Sequence, residues 1–270
     1  MVTPLPADAD DGKRSVLGRA FDILDCFSTE QPEQTIAGLC GQTGLPPATV
    51  HRMLAGLVEW EAVERTGRGR YRLGRRLWRL GWGVADVRLL RDAARSFMVD
   101  LYSATGELVA LGTRESSGDV TIMDFIGGRS VNAGWYSGRR VPLLDSGPGL
   151  VYLAHATPDD LTETLRELCP PRWSRSDDFQ LRQRLSEIKR TGVAVARGTS
   201  PGEPAWVSAP VYRRDGSVRS TLSLIVPEYR LNAVSMSRAV AGTARAITEA
   251  MVPQRARRAR GTSFPASRPA

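Results

Sequence analysis

Positions 48 to 55 hold the side chains of this chain that are best suited to recognising a nucleic acid. Arg52 can donate two hydrogen bonds to O6 and N7 of a guanine. Thr49 can contact a thymine methyl group or a phosphate, and His51 can contact a phosphate. A helix would place these residues on one outward face with Ala48 and Ala55, because the apolar residues between them have helical spacing. The pattern predicts a helix that reads the major groove of DNA.

A shorter helix is expected just before this one, and the pair would form a helix-turn-helix. Thr35 is a candidate N-cap for a helix over residues 36–43, and Gly44 ends that helix. Pro47 stands where the first turn of the next helix accepts proline. Two short helices joined by a glycine turn are typical of the motif, but any small helical domain can show that pattern by chance.

A basic hairpin follows the second helix and strengthens the interpretation. Residues 62–65 and 70–73 alternate apolar side chains with arginines on either side of a turn at 66–69, which predicts a two-stranded wing. From Arg65 to Arg79 the chain carries seven arginines and no acidic residue. A charge run is usually a solvated face, but one that follows a reading helix suits a polyanion. The predicted DNA contacts are Thr35, Pro47, Ala48, Thr49, His51, Arg52, Arg65, Arg68, Arg70 and Arg72.

Two further helices are expected around this motif. The first would pack beneath it through an apolar stripe of Val16, Leu17, Ala20, Phe21, Leu24 and Phe27. The second, over residues 75–90, has two apolar stripes side by side. One stripe can pack on the DNA-binding domain and the other on the same helix of a second subunit, which would place two reading helices on one operator. Alternatively, both stripes are buried within one chain.

Several runs of this sequence resemble one known family. SVLGRAFDILDCF, TIAGLCGQTGLPPATVHRMLAGLVEWEAVER and GRYRLGRRLWRLG are similar to the N-terminal winged helix of the IclR family of bacterial transcriptional regulators. GRRVPLLDSGPGLVYLA, IKRTGVAVA and WVSAPVYRRDGSVRSTLSLIVPEYRL follow the order of that family's C-terminal ligand-sensing domain. The resemblance covers residues 14–250 and implies a DNA-binding regulator of transcription.

The chain is therefore expected to contain two domains, which its 270 residues also favour. The segments are a disordered leader (1–13), a winged helix-turn-helix DNA-binding domain (14–74), a linker or dimerisation helix (75–90), a GAF-like effector-binding domain (91–252) and a basic disordered tail (253–270).

The second domain is expected to be α+β. Strand patterns occupy residues 108–114, 120–126, 130–135, 193–196, 206–212 and 218–226. Helical patterns occupy residues 92–105, 149–156, 158–168, a stretch from a cap at Asp177 or Asp178 to Arg190, and 232–251. An antiparallel sheet with flanking helices, similar to the GAF-like sensor domain of the family, is the fold that these patterns favour.

Composition narrows the class of protein. The formal net charge is +8 and almost all of the positive charge is arginine, because Lys13 and Lys189 are the only lysines. Arginine prefers bidentate contacts with phosphate and guanine, so a nucleic-acid partner is favoured over an acidic small substrate. Three cysteines, an acidic leader and the lack of an apolar run of about 18 residues indicate a cytoplasmic protein without a signal peptide or membrane span.

Catalytic chemistry is not expected. The two histidines, His51 and His155, lie far from any cysteine pair, so no zinc or haem site can be assembled with ordinary spacing. Ser146 does not occupy a nucleophile elbow, because the residue two positions before it is Leu144 and not glycine. We therefore expect no enzyme activity, no metal and no cofactor.

In the family, small organic acids or aromatic acids bind between the sheet and a loop that corresponds to residues 144–149. The effector site implied here comprises Ser146, Gly147, Pro148, Ala196, Trp206, Ser223 and Ile225. Members that bind small carboxylates tend to have an acidic residue, a cysteine and a serine where this chain has Ala196, Trp206 and Ile225. Pro148 also lacks an N–H donor, so a carboxylate would lose hydration here with little in return. The expected effector is apolar or aromatic; alternatively, these are core substitutions in a domain that binds nothing.

The leading hypothesis is a regulator, dimeric or tetrameric, that binds an inverted-repeat operator in double-stranded DNA and changes its DNA affinity when a small molecule binds. The alternative is a DNA-binding regulator whose second domain only mediates oligomerisation or protein contact.

Overall fold

The structure is a computed structural model that describes residues 15–28, 31–81, 83–114, 118–127, 137–169, 173–198 and 202–251. The chain divides into two compact units, Met1–Asp86 and Val87–Ala270. The expected leader at 1–13, the expected strand at 130–135 and the expected basic tail at 253–270 lie outside the described residues.

The first unit is a helical cluster with a small antiparallel sheet. Its elements are helices α1 (Val16–Asp25), α2 (Ile36–Thr43), α3 (Pro47–Glu59) and α4 (Arg75–Gly81) and strands β1 (Glu33–Thr35), β2 (Val63–Gly67) and β3 (Arg70–Leu73). The sheet order is β1-β3-β2, so the predicted wing hairpin gains a third strand at its β3 edge. The interior is formed by Ile23, Phe27, Leu39, Val50, Met53, Leu54, Val63 and Tyr71.

Helix α1 packs through a face that is rotated from the predicted stripe, so that Ala20, Leu24 and Phe27 still contact the interior. Ile23, which was not in the predicted stripe, is fully buried, whereas Leu17 and Phe21 are 67% and 57% exposed. At about 100° per residue, Phe21 lies roughly 200° around the helix from Ile23, so both cannot face one interior. Val16, also in the predicted stripe, is likewise exposed.

The single helix predicted over residues 75–90 is two helices. Helix α4 ends at Gly81, and α5 (Ala85–Thr105) begins after a turn in which the N–H of Gly83 donates to the Leu80 carbonyl. Glycine weakens helices by about 1 kcal/mol relative to alanine, so a pair of glycines at this point favours the break. The helix predicted to start the second domain at residue 92 is the continuation of α5.

The second unit contains one six-stranded sheet and five long helices within the described residues. Its elements are α5, β4 (Leu108–Arg114), β5 (Val120–Ile126), β6 (Arg140–Val141), α6 (Gly147–His155), α7 (Pro158–Leu168), α8 (Arg175–Thr191), β7 (Ala194–Ala196), β8 (Ala205–Tyr212), β9 (Val218–Val226), a 3-10 turn (Glu228–Arg230) and α9 (Ala233–Ala250). The strand order is β6-β5-β4-β9-β8-β7, antiparallel throughout.

Helices cover both faces of this sheet. Side chains of α5 and α9 pack on one face with Val109, Val207 and Leu224. Side chains of α6, α7 and α8 pack on the other face with Ala110 and Ile225. Because residues of one strand alternate between faces, β8 and β9 contribute to both interiors. The fold class is α+β, as predicted.

Three local features of the second unit differ from the sequence expectation. Helix α8 is capped by Ser174, and Asp177 is the third residue of a capping box, whereas Asp177 or Asp178 was expected to be the cap. The short strand β6 and the 3-10 turn were not predicted. None of the helices in the described ranges combines the length and apolar character needed to cross a membrane.

Candidate nucleic-acid interface and effector site

The helix-turn-helix is built from local hydrogen bonds at its turn. Thr35 Oγ1 accepts a hydrogen bond from the N–H of Gly38 at 3.1 Å, which begins α2 as predicted. Gly44 ends α2 with φ of 70°, a conformation that glycine adopts without strain. Pro47 begins α3, where the missing N–H costs no helical bond. Buried side chains below α3 hold its opposite face towards solvent.

A buried glutamine fixes α2 beside α1. The Gln34 amide nitrogen donates to the Cys26 carbonyl at 2.6 Å, and its amide oxygen accepts from Gln42 on α2 at 3.1 Å. Gln34 is 5% exposed, so these bonds form away from competing water. The end of α1, strand β1 and helix α2 are thereby joined at one residue.

The outward face of α3 carries the residues predicted to read DNA. Ala48, His51, Arg52 and Ala55 are exposed, and Thr49 is half-buried. Within the part of the chain that the structure describes, the Arg52 guanidinium has no hydrogen-bond or ion-pair partner, so its donors are available to a base. The structure brings these positions onto one face, as the spacing predicted, and their contact with DNA stays a prediction.

The tip of the wing is a tight turn. Gly67, Arg68 and Gly69 have φ values of 104°, 46° and 74°, so three successive residues lie on the left-handed side. Two of them are glycine, which adopts this conformation readily, and Arg68 is the one residue with a side chain. Arg68 is exposed at the tip, where it can reach a phosphate.

Acidic residues just outside the basic run pair with two of the predicted contact arginines. Arg72 donates to one carboxylate oxygen of Glu64 from Nε at 3.0 Å and from Nη2 at 2.8 Å. Hydrogen bonding to Arg72 lowers the pKa of Glu64 below its ordinary value. Arg70 Nη1 lies 3.4 Å from Glu33 Oε2. The sequence reasoning missed both glutamates as members of this interface.

Aromatic rings hold two other arginines. Arg65 Nη2 donates to the Tyr71 hydroxyl at 2.9 Å, and its guanidinium carbon lies 5.4 Å from the centre of that ring. Arg76 lies 5.2 Å from the ring centre of Trp60 and donates to the Trp60 carbonyl at 3.2 Å. An aromatic ring orients a guanidinium without neutralising its charge, so both arginines still attract phosphate.

In the second unit, the beginning of α6 packs tightly against β8. Ser146 caps α6: its hydroxyl accepts from the N–H of Gly149 at 3.1 Å and donates to the Pro142 carbonyl. A Cβ atom added at Gly147 would overlap Ser208 and Trp206 of β8. This close approach explains why glycine stands at position 147.

Strand pairing gathers the remaining predicted effector residues beside α6. Ala196 pairs with Trp206, and Trp206 pairs with Ile225, so the three lie in one row across β7, β8 and β9. Ser223 accepts or donates a hydrogen bond with Ser208 at 2.8 Å between the hydroxyl oxygens. Trp206 and Ile225 belong to the packed interior on this face of the sheet, with 8% and 0% of their surface exposed. The predicted strand residues therefore lie beside Gly147, but the side chains of Trp206 and Ile225 occupy the interior there.

A cavity of about 380 Å³ lies beside this row. Its lining comes from Leu144, Asp145, Arg184, Val195, Ala196 and Arg197. Of the seven predicted effector positions, Ala196 is the one in this lining. The volume lies within the usual range for small-molecule sites.

Two arginines line the cavity, Arg184 and Arg197, and neither was predicted from the sequence to do so. Arg184 Nη2 donates to the Val195 carbonyl at 2.8 Å, and burial lowers the pKa of Arg184 while the Asp145 carboxylate acts in the opposite sense. Arg197 Nη1 lies 2.8 Å from Glu228 Oε1. Helix α8 and the end of β7 supply these arginines, and no spacing rule links the two elements before the fold is known. In the described ranges, no three His, Cys, Asp or Glu side chains are grouped as a metal site requires.

Comparisons with known proteins relate both units to the same family of regulators. Residues 16–67 match the family described as IclR helix-turn-helix domain, and residues 83–251 match the family described as Bacterial transcriptional regulator IclR C-terminal. The HTH-type transcriptional regulator BhcR of Paracoccus denitrificans is 27% identical over 91% of this chain and 90% of its own length. An IclR homolog from Microbacterium hydrocarbonoxydans, solved with 4-hydroxybenzoate, is 25% identical with a TM-score of 0.76 and covers 88% of this chain and 99% of its own. The IclR-type regulator structure from Alicyclobacillus acidocaldarius, at 20% identity and a TM-score of 0.73, covers 88% of this chain and 99% of its own and shares the fold.

Proposed function

We infer that this chain, which belongs to the IclR family of bacterial transcriptional regulators, binds an inverted-repeat operator as a homodimer and responds to a small molecule held by its second unit. The observation that carries the DNA-binding role is the outward face of α3. Arg52 and His51 are exposed on it, and a buried apolar face fixes its orientation. The wing tip adds Arg68 to the same unit.

Dimer formation is supported by apolar surface that one chain leaves uncovered. Leu80 is 60% exposed at the end of α4, and Leu89 is 56% exposed in the first turns of α5. Val84 and Val87 between them are exposed as well. A run of exposed apolar side chains is a common mark of an interface, and a two-fold dimer supplies two reading helices to a two-fold operator.

The effector role is supported by the cavity beside β7. Leu144, Val195 and Ala196 offer apolar surface, and Arg184 offers donors for an anionic group, whereas Arg197 must first leave Glu228. The Microbacterium hydrocarbonoxydans relative was solved with 4-hydroxybenzoate, which has both an aromatic ring and a carboxylate. An apolar or aromatic ligand was expected from the sequence, and Arg184 favours an aromatic one that also carries a negative charge.

A second candidate role is favoured by the packing of Trp206 and Ile225. Both side chains fill the interior at positions where the family's ligand is expected, so the second unit would then serve only oligomerisation or protein contact. Thermal unfolding in the presence of small molecules separates the two roles, because a ligand that binds only the folded state must stabilise it.

The test of the proposed function is binding to DNA taken from upstream of the protein's own gene. Fluorescence anisotropy with that fragment and with a scrambled fragment of equal length gives the ratio of specific to random binding. We expect a clear preference for the upstream fragment, protection of an inverted repeat in a footprint, and a change in affinity on adding the effector. Equal affinity for the two fragments would contradict sequence-specific regulation at that site.

A further inference from the structure

The outer face of the wing sheet is almost neutral, although the sequence there is rich in arginine. Arg72 lies on the central strand β3, with Glu33 directly opposite on β1 and Glu64 directly opposite on β2. Residues directly opposite each other in an antiparallel sheet point to the same face. Arg70, two residues before Arg72, shares that face.

Each arginine on this face has an acidic partner. Glu64 accepts two hydrogen bonds from Arg72, at 3.0 and 2.8 Å, and Glu33 lies 3.4 Å from Arg70. All four side chains are at least one-third exposed, so none of the pairs is part of a buried core. Exposed ion pairs of this kind contribute little to folding stability, so a structural role does not account for them well.

The wing tip is different in charge. Arg68 lies outside the paired rows, and among the described residues it has no acidic partner. Arg68 therefore differs from Arg70 and Arg72 in a way that the sequence alone does not show. Arg68 is available to phosphate at once, whereas Arg70 and Arg72 must first leave a carboxylate.

The difference matters because phosphate contacts act on every DNA sequence. Each arginine that neutralises a phosphate releases counterions and strengthens binding to random DNA, with a salt slope of about 0.9 per contact. Binding to random DNA consists almost wholly of such contacts, and a loosely docked complex can use any free arginine. In the operator complex, hydrogen bonds to base edges also hold the protein in one register. The wing then has less freedom to make a further phosphate contact.

We propose that Glu64 is a specificity-determining residue, which holds Arg72 away from phosphate and so limits binding to random DNA. The lowered pKa of Glu64 agrees with a carboxylate that stays ionised in this role. Glu33 acts on Arg70 in the same way through a longer contact. The inference uses the DNA-binding role of the first unit and is independent of any effector.

The test compares Glu64→Gln with Glu59→Gln in the full-length protein. Both substitutions add one positive charge to the first unit, but Glu59, exposed at the end of α3, has no arginine partner among the described residues. Anisotropy titrations at several salt concentrations would use the upstream fragment and its scrambled control. We expect Glu64→Gln to steepen the salt slope on scrambled DNA by about one contact, which is about a 3-fold effect between about 50 and 200 mM salt. The upstream fragment should gain less, so the specific-to-random ratio should fall.

A double substitution tests whether Glu64 acts through Arg72. In an Arg72→Gln background, Glu64→Gln should change random binding no more than Glu59→Gln does, and Arg72→Gln alone should lower the salt slope by less than one contact. The proposal is overturned if Glu64→Gln and Glu59→Gln behave alike, if the ratio does not fall, or if Arg72→Gln alone removes a full contact from the salt slope. Failure of the unmodified protein to bind any DNA would contradict the DNA-binding role itself and is readily distinguished from these results.

Discussion

Gly147 lies so close to Ser208 that a side chain at position 147 would overlap the serine hydroxyl. The contact joins the beginning of α6 to the middle of β8, where the predicted effector residues meet. Gly147→Ala should therefore force α6 away from the sheet and destabilise the second unit by about 1 to 3 kcal/mol. Chemical denaturation followed by tryptophan fluorescence measures this loss.

The matched control is Gly242→Ala on α9, where an added methyl group meets nothing within 4 Å. Alanine there should stabilise the protein by about 0.5 to 1 kcal/mol, because glycine is unfavourable inside a helix. If both substitutions changed the free energy of unfolding in the same direction, this result would contradict the close contact between α6 and β8.

Arg52 and Arg68 should affect DNA binding in different ways. Arg52→Ala removes a donor that can fork onto a base, so it should cost about 1 to 3 kcal/mol on the operator and relax base preference. Arg68→Ala removes a phosphate contact, so it should weaken operator and random DNA about equally and lower the salt slope by about one contact. Anisotropy at several salt concentrations gives both quantities. An unchanged ratio of specific to random binding after Arg52→Ala would show that α3 does not read bases.

The wing illustrates where sequence reasoning stops. A symmetric hairpin about the turn at 66–69 would place Arg65 opposite Arg70 and Glu64 opposite Tyr71. In the structure the register shifts between Arg65 and Gly67, so Arg65 lies opposite Tyr71 and Glu64 opposite Arg72. One bulged residue thus creates both the aromatic support of Arg65 and the Glu64 pair. Strand positions were predictable from alternation, but their register was not.

The second unit shows the same limit at longer range. Turn residues and periodicity predicted β4, β5, β9 and α7 with their observed bounds, because each pattern is local. The cavity depends on Arg184 of α8 lying beside Val195 of β7, a relation set by packing of a helix on a sheet edge. Resemblance to a family indicated the interior row that contains Ala196 and Trp206, but not these arginines.

Leu89→Glu should weaken the proposed dimer. Leu89 is 56% exposed in one chain. If the dimer buries this side chain, burial contributes about 1.5 to 3 kcal/mol to association. Glutamate would lose that contribution and would place a charge in the interface. We expect a shift towards monomer in sedimentation velocity, with at least a 10-fold rise in the dimer dissociation constant. Val234→Glu on α9 is the control, since Val234 is 67% exposed and lies outside this stretch. A Leu89→Glu protein that sediments like the unmodified one would place the interface elsewhere.

Acid should remove the contribution of Asp177 to the stability of α8. Hydrogen bonds from the Ser174 backbone and hydroxyl lower the pKa of Asp177 below its unfolded value. A group with a lowered folded pKa stabilises the protein above the unfolded pKa, about 3.9 for aspartate, and this contribution is lost as pH falls through the folded value. The difference in unfolding midpoint between the unmodified protein and Asp177→Asn should therefore shrink between about pH 5 and pH 3. A difference that stays constant across this window would mean that the carboxylate charge plays no part in the cap.

The charge of the effector can be tested at the cavity itself. The resemblance to the family favoured an apolar or aromatic ligand, because Ala196, Trp206 and Ile225 stand where binders of small carboxylates tend to have an acidic residue, a cysteine and a serine. Arg184 in the lining favours an aromatic acid. We expect 4-hydroxybenzoate to raise the unfolding midpoint more than the neutral 4-hydroxybenzyl alcohol. Pyruvate should have little effect, because it lacks a ring to bury against Leu144 and Ala196. A ligand at about 100 times its dissociation constant adds about 2.7 kcal/mol to the free energy of unfolding, which thermal scans resolve easily.

Substitutions at the two arginines connect this stabilisation to the cavity. Arg184→Gln should abolish most of the advantage of the acid over the alcohol, because it removes a donor for the carboxylate. Arg197→Gln should reduce this advantage less, because Arg197 is already paired with Glu228. Arg182→Gln is the control: Arg182 is on the same helix as Arg184 but pairs with Asp178 at 2.9 Å and does not line the cavity. Equal stabilisation by acid and alcohol would mean that the carboxylate adds nothing to binding, as expected for the apolar or aromatic ligand that the sequence favoured. Stabilisation by the acid that survives both substitutions would place its binding site away from α8 and β7.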